Sequence, residues 1–251
     1  MDNNLLLSIA QEYDCPTYVY DGNKIESQYE RLQNAFKQVK HLKINYAAKA
    51  LTNISILKLL KKKGSGLDTV SIQEVLLGLE AGFAAEDIMF TPNGVSLEEI
   101  ENVVKLGVHI NIDNLSILEQ FGTKYPNIPI CIRINPHVMA GGNSNISVGH
   151  IDSKFGISVH QIPHILRIIE NTKMKVNGIH MHTGSDILDI EVFLYAAEIL
   201  FETAKQFKNL DFFTEVATPI IVDKKTDKKK ADAIFNYVKT NFTSDKNVSI
   251  Y

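Results

Sequence analysis

Tryptophan is absent and cysteine occurs only twice, at Cys15 and Cys131. Two thiols so far apart build no disulfide framework, which excludes the small stapled scaffolds and favours a reducing compartment. Proline and glycine are sparse, 7 and 14 in 251 residues, so collagen-like and low-complexity readings fall away. Neither sign of charge dominates, with 26 Lys and Arg against 29 Asp and Glu for a net charge of -3. No overall field would draw the chain to nucleic acid or to an anionic membrane. No apolar run approaches the roughly 20 residues of a membrane span, and Leu5 to Ala10 is too short, and lacks the basic flank, for a secretory signal. What is present is an ordinary globular composition, 45% apolar and 22% charged, large enough for a sizeable core. The expectation is a cytoplasmic protein of one domain over residues 1–251, with 1–22 as an extended lead-in containing a short strand at Thr17-Tyr-Val-Tyr20.

The centre of the chain has a rhythm. Short β-favouring runs begin near Ile44, Gly66, Ile88, His109 and Ile130, about 21 residues apart, the length of a strand, a three-turn helix and two short loops. Val176 to His180 and Leu210 to Phe213 fit the same role, and Asn247 to Tyr251 offers an eighth strand. Between them, Ser71-Ile-Gln-Glu74 and Ser96-Leu-Glu-Glu99 read as capping boxes. Ile72, Val75, Leu76 and Leu79 fall on one helical face, and Ile190, Phe193, Ala197, Leu200, Phe201 and Ala204 on another. Gly64, Gly82, Gly107 and Gly122 stand where helices should stop, and a last helix is expected over 228–241. Regular β-α alternation calls for a parallel sheet covered by helices. About eight such units in this length match a (β/α)8 TIM-type barrel. An open doubly wound sheet is the rival, weakened because no G-x-G-x-x-G follows the first strand.

Parallel α/β folds bind ligands beyond the carboxyl ends of their strands. Those ends carry Lys49, then Asp68 and Ser71, Asn93, Asp113 and Asn114, Arg133 and Asn135, and finally His180 and His182. Any one of them is explained by strand ends meeting water; as a set they would converge on a barrel axis. Lys49 lies in a mostly apolar segment, so it is either a desolvated Schiff-base nucleophile or a solvated strand-end lysine. His180 and His182 share one side of an extended strand. They read as a metal pair lacking a third ligand, as ordinary histidines, or as an imidazole over a planar ring followed by a Gly184-Ser185 turn for a phosphate. The long loop from Asn135 to Val159, with Gly141-Gly142-Asn143, falls at the same face.

Taken together, Tyr46-Ala-Ala-Lys49-Ala, Gly66-Leu-Asp-Thr-Val-Ser71, Arg133-Ile-Asn-Pro136, Ser153-Lys-Phe-Gly156 and His180-Met-His-Thr-Gly-Ser185 resemble the fold-type III, alanine-racemase-like pyridoxal-phosphate enzymes. Within them the chain is most similar to the diaminopimelate decarboxylase family, over about residues 15–213. The resemblance implies pyridoxal 5'-phosphate as cofactor, held covalently by Lys49, with His182 stacked on its ring, Gly184 and Ser185 at its phosphate, and Asp68, Arg133 and His180 around it. It implies a carboxy-lyase of lysine biosynthesis, taking carbon dioxide from meso-diaminopimelate, with a small amino-acid substrate and a homodimeric assembly.

The chain departs from that family at its C-terminal end. The glycine-rich phosphate turn expected after the seventh strand reads Phe213-Thr-Glu-Val-Ala-Thr-Pro219, where Glu215 brings an unfavourable negative charge. The Glu-Pro-Gly segment that pairs with the pyridine nitrogen has no visible counterpart, and Leu51 and Asp186 stand where Asn and Gln are usual. The barrel is therefore expected to be incomplete at that end and to lack the family's C-terminal β domain. The alternatives are a non-catalytic cofactor-binding barrel or inactive fragment, another amino-acid decarboxylase or racemase of the same fold, and a Schiff-base aldolase using Lys49 without cofactor.

Overall fold

The structure is a computed structural model and describes residues 2–37, 42–138, 155–183, 190–207 and 248–249. Eight helices among the described residues are α1 (Asn3–Tyr13), α2 (Gly22–Ala35), α3 (Ile54–Lys62), α4 (Ile72–Glu80), α5 (Leu97–Val104), α6 (Leu115–Lys124), α7 (Ile162–Thr172) and α8 (Ile190–Ala204). The strands are β1 (Leu42–Lys43), β2 (Asn45–Ala47), β3 (Gly66–Thr69), β4 (Ile88–Phe90), β5 (His109–Ile112), β6 (Ile130–Asn135), β7 (Ile157–Ser158), β8 (Val176–Met181) and β9 (Val248–Ser249). All pairings are parallel. β2, β3, β4, β5 and β6 follow one another across the sheet, and both β7 and β8 pair with β6. β9 pairs with β1, Leu42 opposite Val248, so the far end of the chain returns to the first strand. This is the strand-and-helix wall of a (β/α)8 barrel.

Strand alternation divides this wall into two chemistries. One face carries Leu67, Ile88, Phe90, Ile110, Ile112, Ile130, Ile132 and Ile134, all essentially inaccessible to water. Burying each such side chain contributes about 1.5–3 kcal/mol, and the helices supply the partners: Leu57, Val75, Ile100, Val103, Leu118, Phe121 and Ile165. A Cβ on Gly78 of α4 would lie 2.5 Å from Leu67 and 3.2 Å from Ile88, so α4 packs directly on this face. Registers Ala47↔Asp68, Asp68↔Met89, Met89↔His109 and Arg133↔His180 define the other face. It points into the barrel and is predominantly polar, with Asp68, Asn111, Asp113, Arg133, Asn135 and His180 in step.

Several expectations are met and several are corrected. Ser71 and Ser96 cap α4 and α5, each accepting from the backbone N–H three residues on. Glu74 reaches back to the N–H of Val70, at 2.8 Å, one residue before the cap. Gly64, Gly82 and Gly107 take positive φ at helix ends, but Gly122 lies inside α6. Its role is close packing, since a Cβ there would sit 2.8 Å from both Met174 Sδ and Thr172 Oγ1. The lead-in is not extended. Asp2 caps a helix at 3–13, and 14–21 carries no strand at Thr17 to Tyr20. Alternation in so short a run is overridden because, among the described residues, no strand pairs with it. On α4 the buried stripe is Val75 and Gly78 while Leu76 is 49% exposed, and on α8 Ala196 and Ala204 are buried while Phe193 is 46% exposed. On α4, Ile72 and Leu79 still pack against the core with Val75, so only Leu76 leaves the expected face. The proposed strand at 210–213 and helix at 228–241 lie outside the described residues, as does most of the long loop, of which 157–158 pairs with β6 as β7.

Candidate functional site

Each polar side chain of the inner face is aimed by its strand and held by a neighbour. β2 runs into a 3-10 turn over Ala48–Ala50 that carries Lys49. The lysine side chain is exposed, not desolvated, because it emerges on a turn past the end of the strand above the buried Ala48. Its charge nevertheless acts on both Asp68 and His182, so the three belong to one site.

Asp68 on β3 accepts a 2.6 Å hydrogen bond at Oδ1 from Thr91 Oγ1, just past β4. Burial pushes its carboxyl up to about 6; Thr91, Arg133 and Lys49 pull it down, and Glu74 adds to the rise. Desolvation therefore outweighs the hydrogen bond and both nearby cations. Asp113, past the end of β5, accepts from Asn93 Nδ2 at 2.6 Å and from Asn114 Nδ2 at 3.1 Å. Arg133 on β6 is only 7% exposed. Burial lowers its pKa, opposed by Asp113 and Asp68, and a guanidinium remains charged across the accessible range. Phe155 covers it, the guanidinium carbon 5.0 Å from the ring centroid, a cation–π contact.

β8 delivers the two imidazoles. His180 is buried, and its Nδ1 lies 2.7 Å from Asn111 Nδ2 on β5. Burial, with Arg133 and His182 adding to it, lowers its pKa to about 3. His182, one residue past β8, is lowered to about 4 by burial, Arg133 and Lys49. Both rings are neutral at physiological pH. The floor of the site thus sets two cations, Lys49 and Arg133, against Asp68 and Asp113, with two uncharged imidazoles beside them. An exposed amine next to a neutral flat ring, a covered guanidinium and a carboxyl suits an anionic aromatic aldehyde: the amine condenses with the carbonyl, and a neutral ring stacks without adding charge.

Sequence reasoning placed Lys49, Asp68, Arg133, His180 and His182 at one end of the sheet, and the structure brings them together. Gly184 and Ser185, like Glu215 and the turn around it, lie outside the described residues. Thr91 and Asn111 were missed. Asn111 was legible, since it alternates in step with Asp113 in His109-Ile-Asn-Ile-Asp113, but attention to strand ends passed over a residue within the strand. A second group was also missed. His137 has φ 55, its Nε2 lies 2.7 Å from Ser158 Oγ, and its ring stacks on His160 at 5.3 Å. No local pattern announces it, because the residues come from either side of the long loop.

Comparison with known proteins shows the family. Residues 22–216 match the family described as pyridoxal-dependent decarboxylase, pyridoxal binding domain. The chain is 35% identical over 216 residues to a diaminopimelate decarboxylase of Methanothermobacter thermautotrophicus, covering 82% of this chain and 50% of that protein. It is 35% identical over 214 residues to one of Staphylococcus aureus, again 82% and 50%. The chain therefore spans about half the length of the curated relatives it matches. Among solved structures, diaminopimelate decarboxylase from Helicobacter pylori complexed with L-lysine superposes with a TM-score of 0.76 at 27% identity, over 98% of this chain and 64% of that one. The arginine decarboxylase of Paramecium bursaria Chlorella virus, at 19% identity and a TM-score of 0.73, shares the fold.

Proposed function

Because the chain belongs to the pyridoxal-dependent decarboxylases through their pyridoxal binding domain, we propose that it forms the cofactor-bearing part of an amino-acid decarboxylase whose substrate is meso-diaminopimelate and whose products are lysine and carbon dioxide. The observation that carries this reading is the convergence of the Lys49 amine, the Asp68 carboxyl, the Arg133 guanidinium and the neutral His182 ring at one end of the sheet. The substrate is supported by the curated relatives named above and by the lysine complex of a structural neighbour.

In this reading Lys49 anchors pyridoxal phosphate through its amine. Its exposure at the mouth of the barrel leaves the attachment accessible to the amine of an incoming amino acid. His182 lies against the cofactor ring, and Gly184 and Ser185 hold the phosphate. Pyridoxal phosphate supplies the conjugated electron sink that accepts the electron pair left when carbon dioxide departs. The chain's own contribution is electrostatic. Arg133, buried against Phe155 and within the field of Asp113 and Asp68, presents a cation that needs no reorganisation. Asp68, poised near 6, can hold or release a proton beside Lys49. The family's homodimeric assembly and its cytoplasmic setting belong to the same proposal; among the described residues no helix is long and apolar enough to cross a membrane.

The test is carbon dioxide release, with diaminopimelate, ornithine and arginine supplied in turn to the protein saturated with pyridoxal phosphate. Release from diaminopimelate with accumulation of lysine, lost in Lys49→Ala, is the expected result. A protein that binds the cofactor at Lys49 yet releases nothing from any of the three is a non-catalytic cofactor-binding barrel instead.

A further inference from the structure

Asn111 and His180 form a directly hydrogen-bonded pair within the buried polar floor, 2% and 9% exposed. Asn111 shares a row with Cys131 and Gly178, by the registers Asn111↔Cys131 and Cys131↔Gly178. His180 lies one row nearer the mouth, opposite Arg133. Gly178 contributes no side chain to that row, and a Cβ there would already press to 3.3 Å on Cys131 Sγ. The Asn111 amide bridges the two rows and meets the ring at 2.7 Å. An amide nitrogen is only a donor, so the ring nitrogen it meets must be the acceptor.

The opposite orientation of the amide would place its NH2 group where Oδ1 now lies, and Oδ1 is buried with no hydrogen-bond partner among the described residues. An unsatisfied buried oxygen is tolerated more often than an unsatisfied buried N–H, so the orientation with Nδ2 toward the ring is the less costly one.

We propose that Asn111 is a positioning residue that fixes the tautomer of His180, keeping Nδ1 as a hydrogen-bond acceptor and Nε2 as the protonated nitrogen, so that the ring beside Arg133 and His182 is a permanently oriented donor. Arg133 and His182 both disfavour a positive charge on His180, and Nδ1, already accepting from the amide, has no room for a second hydrogen. The inference rests on the functional reading for its place beneath the cofactor, but the tautomer belongs to the folded chain itself.

The experiment is a long-range 15N–1H correlation spectrum of the full chain labelled at histidine, without cofactor or substrate, above neutral pH, with His180 identified by loss of its signals in His180→Gln. The expected wild-type pattern has Nδ1 at an unprotonated shift and Nε2 at a protonated one. Asn111→Asp, whose carboxylate can only accept, should exchange the two assignments, and Asn111→Leu should give a mixture. A wild-type His180 protonated at Nδ1 overturns the proposal, as does the wild-type pattern persisting in Asn111→Leu. If neither variant folds, Asn111→Ser, too short to reach the ring, takes their place: a mixture supports the proposal and an unchanged wild-type pattern overturns it. Failure of decarboxylation with this pattern intact would count against the proposed function and not against the role of Asn111.

Discussion

Thr91 and Asp68 meet at 2.6 Å, a hydroxyl donating to a carboxylate that burial has made reluctant to ionise. Hydrogen bonds to charged groups contribute about 1.5–3 kcal/mol and those between neutral groups about 0.5–1.5. Thr91→Val keeps the shape and removes the donor. Its cost should therefore depend on the state of Asp68, reaching the upper range well above pH 6, where the carboxyl is ionised, and falling to the lower range near pH 4. Urea unfolding at the two pH values measures the difference. The same substitution should push the Asp68 pKa above about 6, since the bond it removes favours the charged form; carboxyl chemical shifts during titration read that directly. Lys49 differs in kind: it is exposed, so its replacement by Ala should leave stability within about 0.5 kcal/mol while abolishing covalent cofactor attachment.

At the scale of elements, Gly156 joins the long loop to β7. It takes φ +83, and a Cβ there would stand 2.9 Å from the backbone of both Ile134 and Asn135. Backbone cannot rotate aside as a side chain can. Gly156→Ala should cost about 2 kcal/mol or more, measured by denaturant midpoint, and should loosen the Phe155 cover on Arg133. Gly122 in α6 sets two terms against each other. Alanine gains up to about 1 kcal/mol in helix propensity, but the new methyl meets Met174 and Thr172 at 2.8 Å. Overpacking costs about 1–3 kcal/mol, so Gly122→Ala should destabilise. These glycines also mark what the sequence made legible. Gly64, Gly82 and Gly107 end helices as their positions after apolar periods suggested, and Ser71 and Ser96 cap where hydroxyl and glutamate stood three apart. Strand positions were legible because β-branched runs recur between helical periods. Gly122 was misread because a glycine that ends a helix and one that admits a neighbour look the same in one dimension. α1 was misread because its helix, capped by Asp2, buries none of its side chains, so periodicity had little to report. The strand-end residues were legible as a set because parallel topology directs them to one place, whereas Asn111 needed the cross-strand register to reveal its partner.

For the whole molecule, the titrations predict the shape of the pH–stability curve. His180 and His182, lowered from 6.5 to about 3 and about 4, favour folding when neutral, and that contribution is lost as pH falls from 6.5 through their folded values. Asp68, raised from 3.8 to about 6, works in the other sense: its contribution is present at low pH and lost as pH rises from 3.8 through about 6. Between pH 4 and 6 the unfolded chain holds two histidine protons that the native chain lacks, and the native chain holds one on Asp68 that the unfolded chain lacks. The net is one proton, so these groups should raise stability by about 1.4 kcal/mol per pH unit across that window, levelling above 6.5. Denaturation midpoints between pH 4 and 7 check it, and Asp68→Asn should steepen the rise. The proposed function depends on the amine that the 3-10 turn after β2 carries into the site. Pyridoxal phosphate is added to the full chain, the adduct is reduced with borohydride, and the modified peptide is identified by mass. A single pyridoxyl group on Lys49 is the expected result; a label distributed over other lysines, or no label at all, would contradict the proposed function.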